Sequence, residues 1–176
     1  SIIIFGIAAG MTYIHQRNFI HRDLKIEKIV LDDNFHPKIA GFSLVNERDK
    51  IDENHYGTIL YLAPETMENV EYSFKSDVFS YSLIVYQLVT GKEPYSNMKD
   101  INSMKLFNAV TSGVRPELDE TDSSKIFQLI KKCWSHNPIE RPSFIEIIRE
   151  FLNNKDDYFD LKNIDKNEFN NFIDLV

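Results

Sequence analysis

The side chains best suited to chemistry in this sequence are grouped in residues 21–30, which read His-Arg-Asp-Leu-Lys-Ile-Glu-Lys-Ile-Val. Within this segment Asp23 is a carboxylate that could serve as a base, and Lys25 is a cation that could contact an anion. Lys28 adds a second fixed positive charge that could pair with Asp23. The structural alternative makes Asp23 an anchor for Lys28 or for the loop backbone, with Lys25 as its neighbouring counter-charge. A lone His-Arg-Asp tripeptide is usually a solvated turn, so motifs elsewhere in the chain are needed to choose between the functional and the structural role.

Several further motifs follow this segment in a fixed order along the chain. They are Gly41-Phe42-Ser43, Gly57-Thr58, Ala63-Pro64-Glu65, Ser76-Asp77-Val78, Cys133-Trp134 and Arg141-Pro142. Together with residues 21–25, this ordered set resembles the C-terminal lobe of a protein kinase, and the resemblance covers about residues 3–152. Lys25 and the Gly-Thr pair resemble the serine/threonine type, whereas the Cys-Trp and Arg-Pro motifs resemble the tyrosine-kinase-like group. The fold implied is mainly α, with a short β-ribbon beside the catalytic loop.

The resemblance implies roles for the charged residues of this loop. Asp23 would be the catalytic base that orients the substrate hydroxyl, and Lys25 would contact the γ-phosphate of ATP. Arg22 would bind a phosphate on the activation segment through charge-assisted hydrogen bonds. Tyr56 and Thr58 are the nearest residues that could carry that phosphate. In the family, however, the residue at the position of Thr58 is more often a structural hydroxyl that faces the catalytic aspartate than a phosphorylation site.

Other matching residues have structural roles in the family. By resemblance, Asp77 hydrogen-bonds the backbone of the catalytic loop, which fixes the loop to the core. Glu65 is expected to pair with Arg141 across the lobe. His21 and Phe42 are expected to pack in the core, since neither side chain does chemistry in the family.

Two positions depart from the family pattern where the metal ligands would lie. The family has an asparagine five residues after the base and an Asp-Phe-Gly triplet further on. This chain has Lys28 at the first position and Gly41 at the start of the triplet. Magnesium requires hard oxygen ligands, but Gly41 has no side-chain oxygen and the ammonium of Lys28 cannot ligate a cation. The sequence therefore predicts that no metal binds here.

These departures predict a catalytically degenerate kinase, or pseudokinase, that acts as a binding or scaffold module in phosphorylation signalling and needs no cofactor. The alternative is an active serine/threonine kinase that uses ATP and magnesium to phosphorylate a protein hydroxyl, with Asp23 as the base. A third hypothesis is a truncated product that keeps the fold and has lost any selected role. Lys28 and Gly41 discriminate between the first two hypotheses and favour the first.

The elements that position these residues begin with a helix. Apolar residues recur at spacings of three and four over residues 3–16, which predicts one buried helical face, and small residues on it predict close approach of another helix. Short strands are predicted at 29–31 and 37–40, on either side of an Asp-Asp-Asn turn. The charged stretch 45–55 is predicted to be a loop.

The second half of the chain is predicted to be helical. Residues 75–91 are apolar around most of the helical circumference, so this helix is expected to be buried at the centre. Gly91 is predicted to end this helix in a left-handed conformation. A Ser-x-x-Glu capping box at Ser143 and Glu146 starts the predicted helix at 143–152. The other helices of the lobe are predicted at 100–111 and 123–134.

The domain organisation expected from these motifs is a kinase C-terminal lobe at residues 1–152 and a polar tail at 153–176. Residues 169–176 could form a short docked helix in the tail. The Gly-rich loop and the lysine–glutamate pair of a kinase lie upstream of the first predicted helix. An N-terminal lobe or a partner chain is therefore expected to cover this helix.

The composition is that of a globular domain, with 43% hydrophobic and 27% charged residues among 176. A net charge of −7 argues against a nucleic-acid partner, so a protein partner or substrate is predicted. The apolar run at the N-terminus is about half the length of a membrane span, so no membrane is expected. The single cysteine, Cys133, excludes an internal disulfide, is expected to be buried on a helix, and fits a cytoplasmic location.

Overall fold

The computed structural model describes residues 2–41, 59–98, 100–119 and 124–158. Within them the chain is mainly helical with one two-stranded antiparallel sheet, which confirms the predicted fold class. The helices are α1 (Ile2–Gln16), α2 (Pro64–Asn69), α3 (Phe74–Thr90), α4 (Ser103–Thr111), α5 (Lys125–Cys133), α6 (Phe144–Asn153) and α7 (Lys155–Tyr158). The strands are β1 (Ile29–Leu31) and β2 (Pro37–Ile39), and 3₁₀ turns cover Ile26–Lys28 and Pro138–Glu140. The predicted loop at 45–55 and the predicted helix at 169–176 lie outside the described residues.

Helix α3 is the central element of the core. It begins after Ser73, whose hydroxyl forms a capping box with Ser76, and it ends at Gly91, whose backbone is left-handed with φ of 69°. Most of its length is buried, as expected for a helix that is apolar around most of its circumference. Helix α5 packs along it. The buried hydroxyl of Tyr81 donates a hydrogen bond to the carbonyl of Ile4 at 3.1 Å, which joins α3 to α1.

Helix α1 packs against α6 and β2. Its predicted apolar face is buried at Ile7, Met11 and Ile14. A β-carbon added at Gly10 would lie 2.9 Å from Cδ1 of Ile39, so Gly10 marks the closest approach of β2. The small residues of α1 predicted a helix as the close neighbour, but at Gly10 the neighbour is a strand.

The β-ribbon lies against α1 on one face and is open on the other. Ile29 and Ile39 are opposite each other in the antiparallel register, and both pack against the core. On the open side Val30 is 54% exposed and Phe35, in the turn, is 70% exposed. The ribbon is therefore short and apolar and covered on one face only, among the residues that the structure describes.

The turn of the ribbon is held by a single carboxylate. Oδ1 of Asp32 accepts hydrogen bonds from the backbone N–H groups of Asn34 at 3.0 Å and His36 at 2.9 Å. These bonds, with the charges of His36 and Lys38, hold the pKa of Asp32 below its ordinary value. Phe35 has a left-handed backbone with φ of 60°. An aromatic residue is unusual in that conformation, because its β-carbon crowds the following carbonyl oxygen.

Two predictions concern the C-terminal part of the domain: a capping box and a polar tail. The capping box between Ser143 and Glu146 is present at the start of α6. Helix α7 lies within the residues that were predicted to be a polar tail, and the ring of Tyr158 contacts that of Phe151 with centroids 4.6 Å apart. Cys133 is fully buried, and burial raises the pKa of its thiol. In the described segments, no helix combines the length and the apolar composition needed to cross a bilayer.

Candidate functional site

The loop between α1 and β1 carries the candidate residues, and Asp77 of α3 holds it in place. The Asp77 side chain is 2% exposed. Its Oδ2 accepts a hydrogen bond from the backbone N–H of His21 at 2.8 Å, and its Oδ1 accepts one from the N–H of Arg22 at 3.0 Å. Nε2 of His15, at the end of α1, lies 2.9 Å from Oδ2. The carboxylate therefore joins α1, the loop and α3 at one point.

His21 connects the loop to the end of β2. Its side chain is buried, and its Nε2 lies 3.1 Å from the carbonyl oxygen of Ala40. Its Nδ1 accepts a hydrogen bond from the backbone N–H of Asp23 at 3.3 Å. Since Nδ1 is the acceptor, Nε2 is the nitrogen that donates to Ala40. The buried ring therefore helps to position Asp23.

Arg22 has a left-handed backbone conformation, with φ of 68°. This conformation costs free energy for a residue with a β-carbon, and the hydrogen bond from its N–H to Asp77 stabilises it. The guanidinium carbon lies 5.7 Å from the ring centroid of Tyr72, which is within the range of a cation–π contact. The predicted phosphate acceptors, Tyr56 and Thr58, lie outside the described residues, so the role of Arg22 stays a prediction.

Asp23 lies between two lysines. Its Oδ1 is 3.4 Å from Nζ of Lys25 and its Oδ2 is 3.9 Å from Nζ of Lys28. The three side chains are between 19% and 31% exposed, so the group is open to solvent on one side. Oδ1 makes no hydrogen bond to the described residues. Asp23 thus has the two counter-charges that its structural interpretation expects, and its unbonded Oδ1 is itself buried.

Lys28 lies directly over Gly41. A β-carbon at Gly41 would be 2.7 Å from Cδ, 2.9 Å from Cε and 3.0 Å from Nζ of Lys28, so the lysine occupies the space of the missing side chain. Gly41 has φ of 95°, a conformation that L side chains rarely adopt. The two residues are brought together by a hydrogen bond from the N–H of Ala40 to the carbonyl of Lys28, at 2.8 Å.

The chemistry of this pair does not fit a magnesium ion. Mg²⁺ takes oxygen ligands in near-octahedral geometry. An ammonium group occupies the place of one metal ligand of the family pattern, and at the place of the other, Gly41 has no side chain. Across the described residues no group of three histidine, cysteine or acidic side chains is arranged to hold a metal.

A second cluster surrounds Arg141, whose side chain is fully buried. Its guanidinium donates to both carboxylate oxygens of Glu65, at 2.7 and 2.9 Å. It also donates to the carbonyl oxygens of Ser135 at 2.8 Å, Lys75 at 3.0 Å and His136 at 3.2 Å. A bidentate pair with further carbonyl acceptors satisfies the guanidinium in the core.

The predicted residues that the structure describes thus form two clusters. The loop cluster contains His21, Arg22, Asp23, Lys25, Lys28, Gly41 and Asp77. The structural cluster contains Glu65 and Arg141. Phe42 lies outside the described residues. His15 was not singled out as a partner of Asp77, although the Tyr-x-His sequence at the end of α1 was a usable signal.

The fold and the loop define a protein kinase domain. A family model of protein tyrosine and serine/threonine kinases matches residues 2–151, and the chain belongs to this family. This finding confirms the resemblance on which the sequence interpretation was based.

Named relatives agree with this assignment. The chain is 39% identical over 146 residues to a probable serine/threonine-protein kinase of Dictyostelium discoideum, covering 82% of this chain and 11% of that protein. It is 35% identical over 153 residues to the serine/threonine-protein kinase STY17 of Arabidopsis thaliana, covering 86% of this chain and 26% of the relative. It is 35% identical over 170 residues to the human receptor-interacting serine/threonine-protein kinase 1, covering 85% and 25%. The chain therefore spans about a quarter or less of these relatives.

Proposed function

We propose that this chain is the C-terminal lobe of a catalytically degenerate protein kinase domain, which acts as a binding or scaffold module in phosphorylation signalling. One observation carries the proposal: the side chain of Lys28 fills the space beside Gly41, where the family places a metal-binding carboxylate. Both positions that supply magnesium ligands in the family are therefore without a side-chain oxygen in this chain.

The physical reason lies in the charge of the reaction. Phosphoryl transfer requires that charge on the β- and γ-phosphates be neutralised, and kinases do this mainly through magnesium that bridges the phosphates. A lysine carries one charge and donates hydrogen bonds, whereas Mg²⁺ carries two charges and binds oxygen directly at about 2.0–2.1 Å. Lys25 and Lys28 can attract phosphate, but they do not reproduce this bridge.

The parts of the domain that maintain its shape are retained. Asp77 fixes the loop, and the buried pair of Glu65 and Arg141 joins α2 to the segment before α6. A lobe held in this way can present a surface to a protein partner without any chemistry at the loop. This combination of an intact frame and altered metal positions supports binding as the role.

A transfer assay tests the proposal. The chain, and any longer polypeptide that contains it, would be incubated with radiolabelled ATP, Mg²⁺ and a general protein substrate such as casein. The expected result is no incorporation above that of the Asp23→Asn variant. Magnesium-dependent transfer that disappears in Asp23→Asn would overturn the proposal.

The second candidate is an active serine/threonine kinase. The arrangement that favours it is Asp23 with Lys25 at 3.4 Å, since these are the base and the phosphate-contacting lysine of the family. The two candidates differ in their dependence on Asp23. In cells of the source organism, an Asp23→Asn chain should function normally if the role is binding and should fail if the role is catalysis.

A further inference from the structure

Lys28 has a fixed position in the loop cluster. Its N–H donates to the carbonyl of Lys25 at 3.0 Å, and its carbonyl accepts from the N–H of Ala40 at 2.8 Å. Its methylene chain lies over Gly41 at the distance of a missing side chain. The fixed backbone and the packing of the methylene chain therefore restrict the positions of the ammonium, so that Lys28 has less conformational freedom to lose on binding than a lysine on an open surface has.

The ammonium of Lys28 retains its hydrogen-bonding capacity. It lies 3.9 Å from Oδ2 of Asp23, which is an ion pair beyond hydrogen-bonding distance. No other bond to Nζ of Lys28 is present in the described part of the chain, and the side chain is 31% exposed. Its three N–H donors can therefore reach an anion that enters from solvent.

The charges of the three ion-paired side chains also favour an anion. Asp23, Lys25 and Lys28 sum to +1, since one carboxylate is set against two ammonium groups. The family pattern, with asparagine at position 28 and aspartate at 41, would sum to −1 at the same places, so it needs a metal before phosphates can approach. Glu27, the other carboxylate of this turn, is not counted in this sum because, within the described residues, it forms no ion pair with Lys25 or Lys28; after burial, its charge raises the pKa of Tyr61.

We infer that Lys28, held over Gly41, is a protein-borne cation that binds the phosphate chain of a nucleoside triphosphate without a divalent metal. This inference rests on the proposed function, because it names the ligand of the same loop. Kinases place the phosphates of ATP against this loop, and two ammonium groups beside one carboxylate suit a ligand with several negative charges. An inorganic triphosphate shares this chemistry.

The inference has a distinctive dependence on metal. Free Mg²⁺ binds the oxygens of a triphosphate and lowers its net negative charge. At this site Mg²⁺ would also be repelled by the positive charge of Lys28, and Gly41 would offer it no side-chain ligand. Binding should therefore be as strong or stronger in EDTA than in magnesium, which is the opposite of the dependence expected of a metal-using kinase.

The experiment is a calorimetric titration of ATP and of sodium triphosphate into the protein, in EDTA and in Mg²⁺. Lys28→Gln should weaken binding in EDTA about tenfold or more, the effect expected for one charge-assisted hydrogen bond. Lys28→Arg should bind close to the original chain. Lys131→Gln, which removes a charge from an exposed position on α5, is the matched control and should leave binding unchanged. The thermal midpoint of each variant confirms that it is folded.

The outcomes separate the ligands and the two proposals. Equal affinity for triphosphate and ATP assigns binding to the phosphate chain alone, whereas tighter ATP binding adds a contribution from the nucleoside. No binding in EDTA, binding that requires Mg²⁺, or equal affinity of the chain and Lys28→Gln would overturn the inference. None of these results decides the transfer assay, so the proposed function can fail or stand separately.

Discussion

At the scale of single residues, Asp77 determines the geometry of the loop cluster. One buried carboxylate accepts hydrogen bonds from the N–H groups of His21 and Arg22, and it lies beside the imidazole of His15. Ring contacts of His15 with Phe74 and Phe144 keep that imidazole in position. The conformation of the loop therefore depends on a residue that is 55 positions away in sequence from Arg22.

Replacing Asp77 by alanine should lower the free energy of unfolding by about 3 kcal/mol. The variant leaves one buried and one partly buried backbone N–H group without an acceptor, and each such loss costs about 1–3 kcal/mol. Urea denaturation measures the change. Glu68→Ala, at an exposed position of α2, is the control and should change stability by less than about 0.5 kcal/mol. A loss below about 1 kcal/mol for Asp77→Ala would show that the loop finds other partners.

The pair of Glu65 and Arg141 should behave as one unit. Glu65→Gln removes the carboxylate charge while the guanidinium stays fully buried, and a stranded buried charge costs roughly 3–5 kcal/mol. Arg141→Met should cost a similar amount. The double variant should lose less than the sum of the two single variants, as measured in a double-mutant cycle. Additive losses would mean that the pair contributes nothing as a pair.

At the scale of elements, the turn of the β-ribbon contains a strained residue. Phe35 is left-handed with φ of 60° and is 70% exposed, so its side chain adds little burial. Phe35→Gly should raise the free energy of unfolding by up to about 1 kcal/mol, because glycine adopts this conformation without the steric cost. Phe19→Gly is the matched control, since Phe19 is also exposed but has no positive φ. That variant should lower stability in the same denaturation assay.

Helix α6 should show a pH dependence that comes from its capping box. Oε2 of Glu146 accepts hydrogen bonds from Oγ of Ser143 at 2.6 Å and from its N–H at 2.7 Å, and these bonds hold the pKa of Glu146 below its ordinary value of 4.5. A lowered folded-state pKa means that the stabilisation is present above pH 4.5 and is lost as the pH falls through the folded pKa.

The test of this box is the difference in unfolding free energy between the chain and Glu146→Gln, measured from pH 3 to pH 7. The difference should be about 0.5 kcal/mol near neutral pH, at the low end for caps because Glu146 is exposed. It should shrink toward zero in acid. A difference that stays constant across this range would exclude ionisation as its source.

At the scale of the whole molecule, the sequence predicted the regular elements well because their signals are local. The periodicity of α1, the central position of α3 and the capping box of α6 can each be read within a few residues. Helix α2 was not predicted: it is short, and it ends at Val70, whose left-handed backbone has φ of 57° without a glycine to signal it.

The candidate site was only partly readable from sequence. The order of the kinase motifs located Asp23, Lys25 and Lys28, because the family pattern fixes their spacing. The packing of Lys28 on Gly41 could not be read, since it follows from the way β2 returns beside the turn that contains Lys28. Helix α4 begins at Ser103 rather than near residue 100, because the side chain of Asn102 caps it by accepting a hydrogen bond from the N–H of Lys105 at 2.9 Å.

Because Lys28 packs on Gly41, the residue tolerated at one of these positions depends on the residue at the other. Any side chain at position 41 would push the lysine from its place, since a β-carbon there would lie 2.7 Å from Cδ of Lys28. In a library randomised at both positions and selected for capture of triphosphate in EDTA, lysine at 28 should be recovered with glycine at 41 more often than chance pairing allows. If residues at the two positions are recovered independently of each other, then neither position constrains the other.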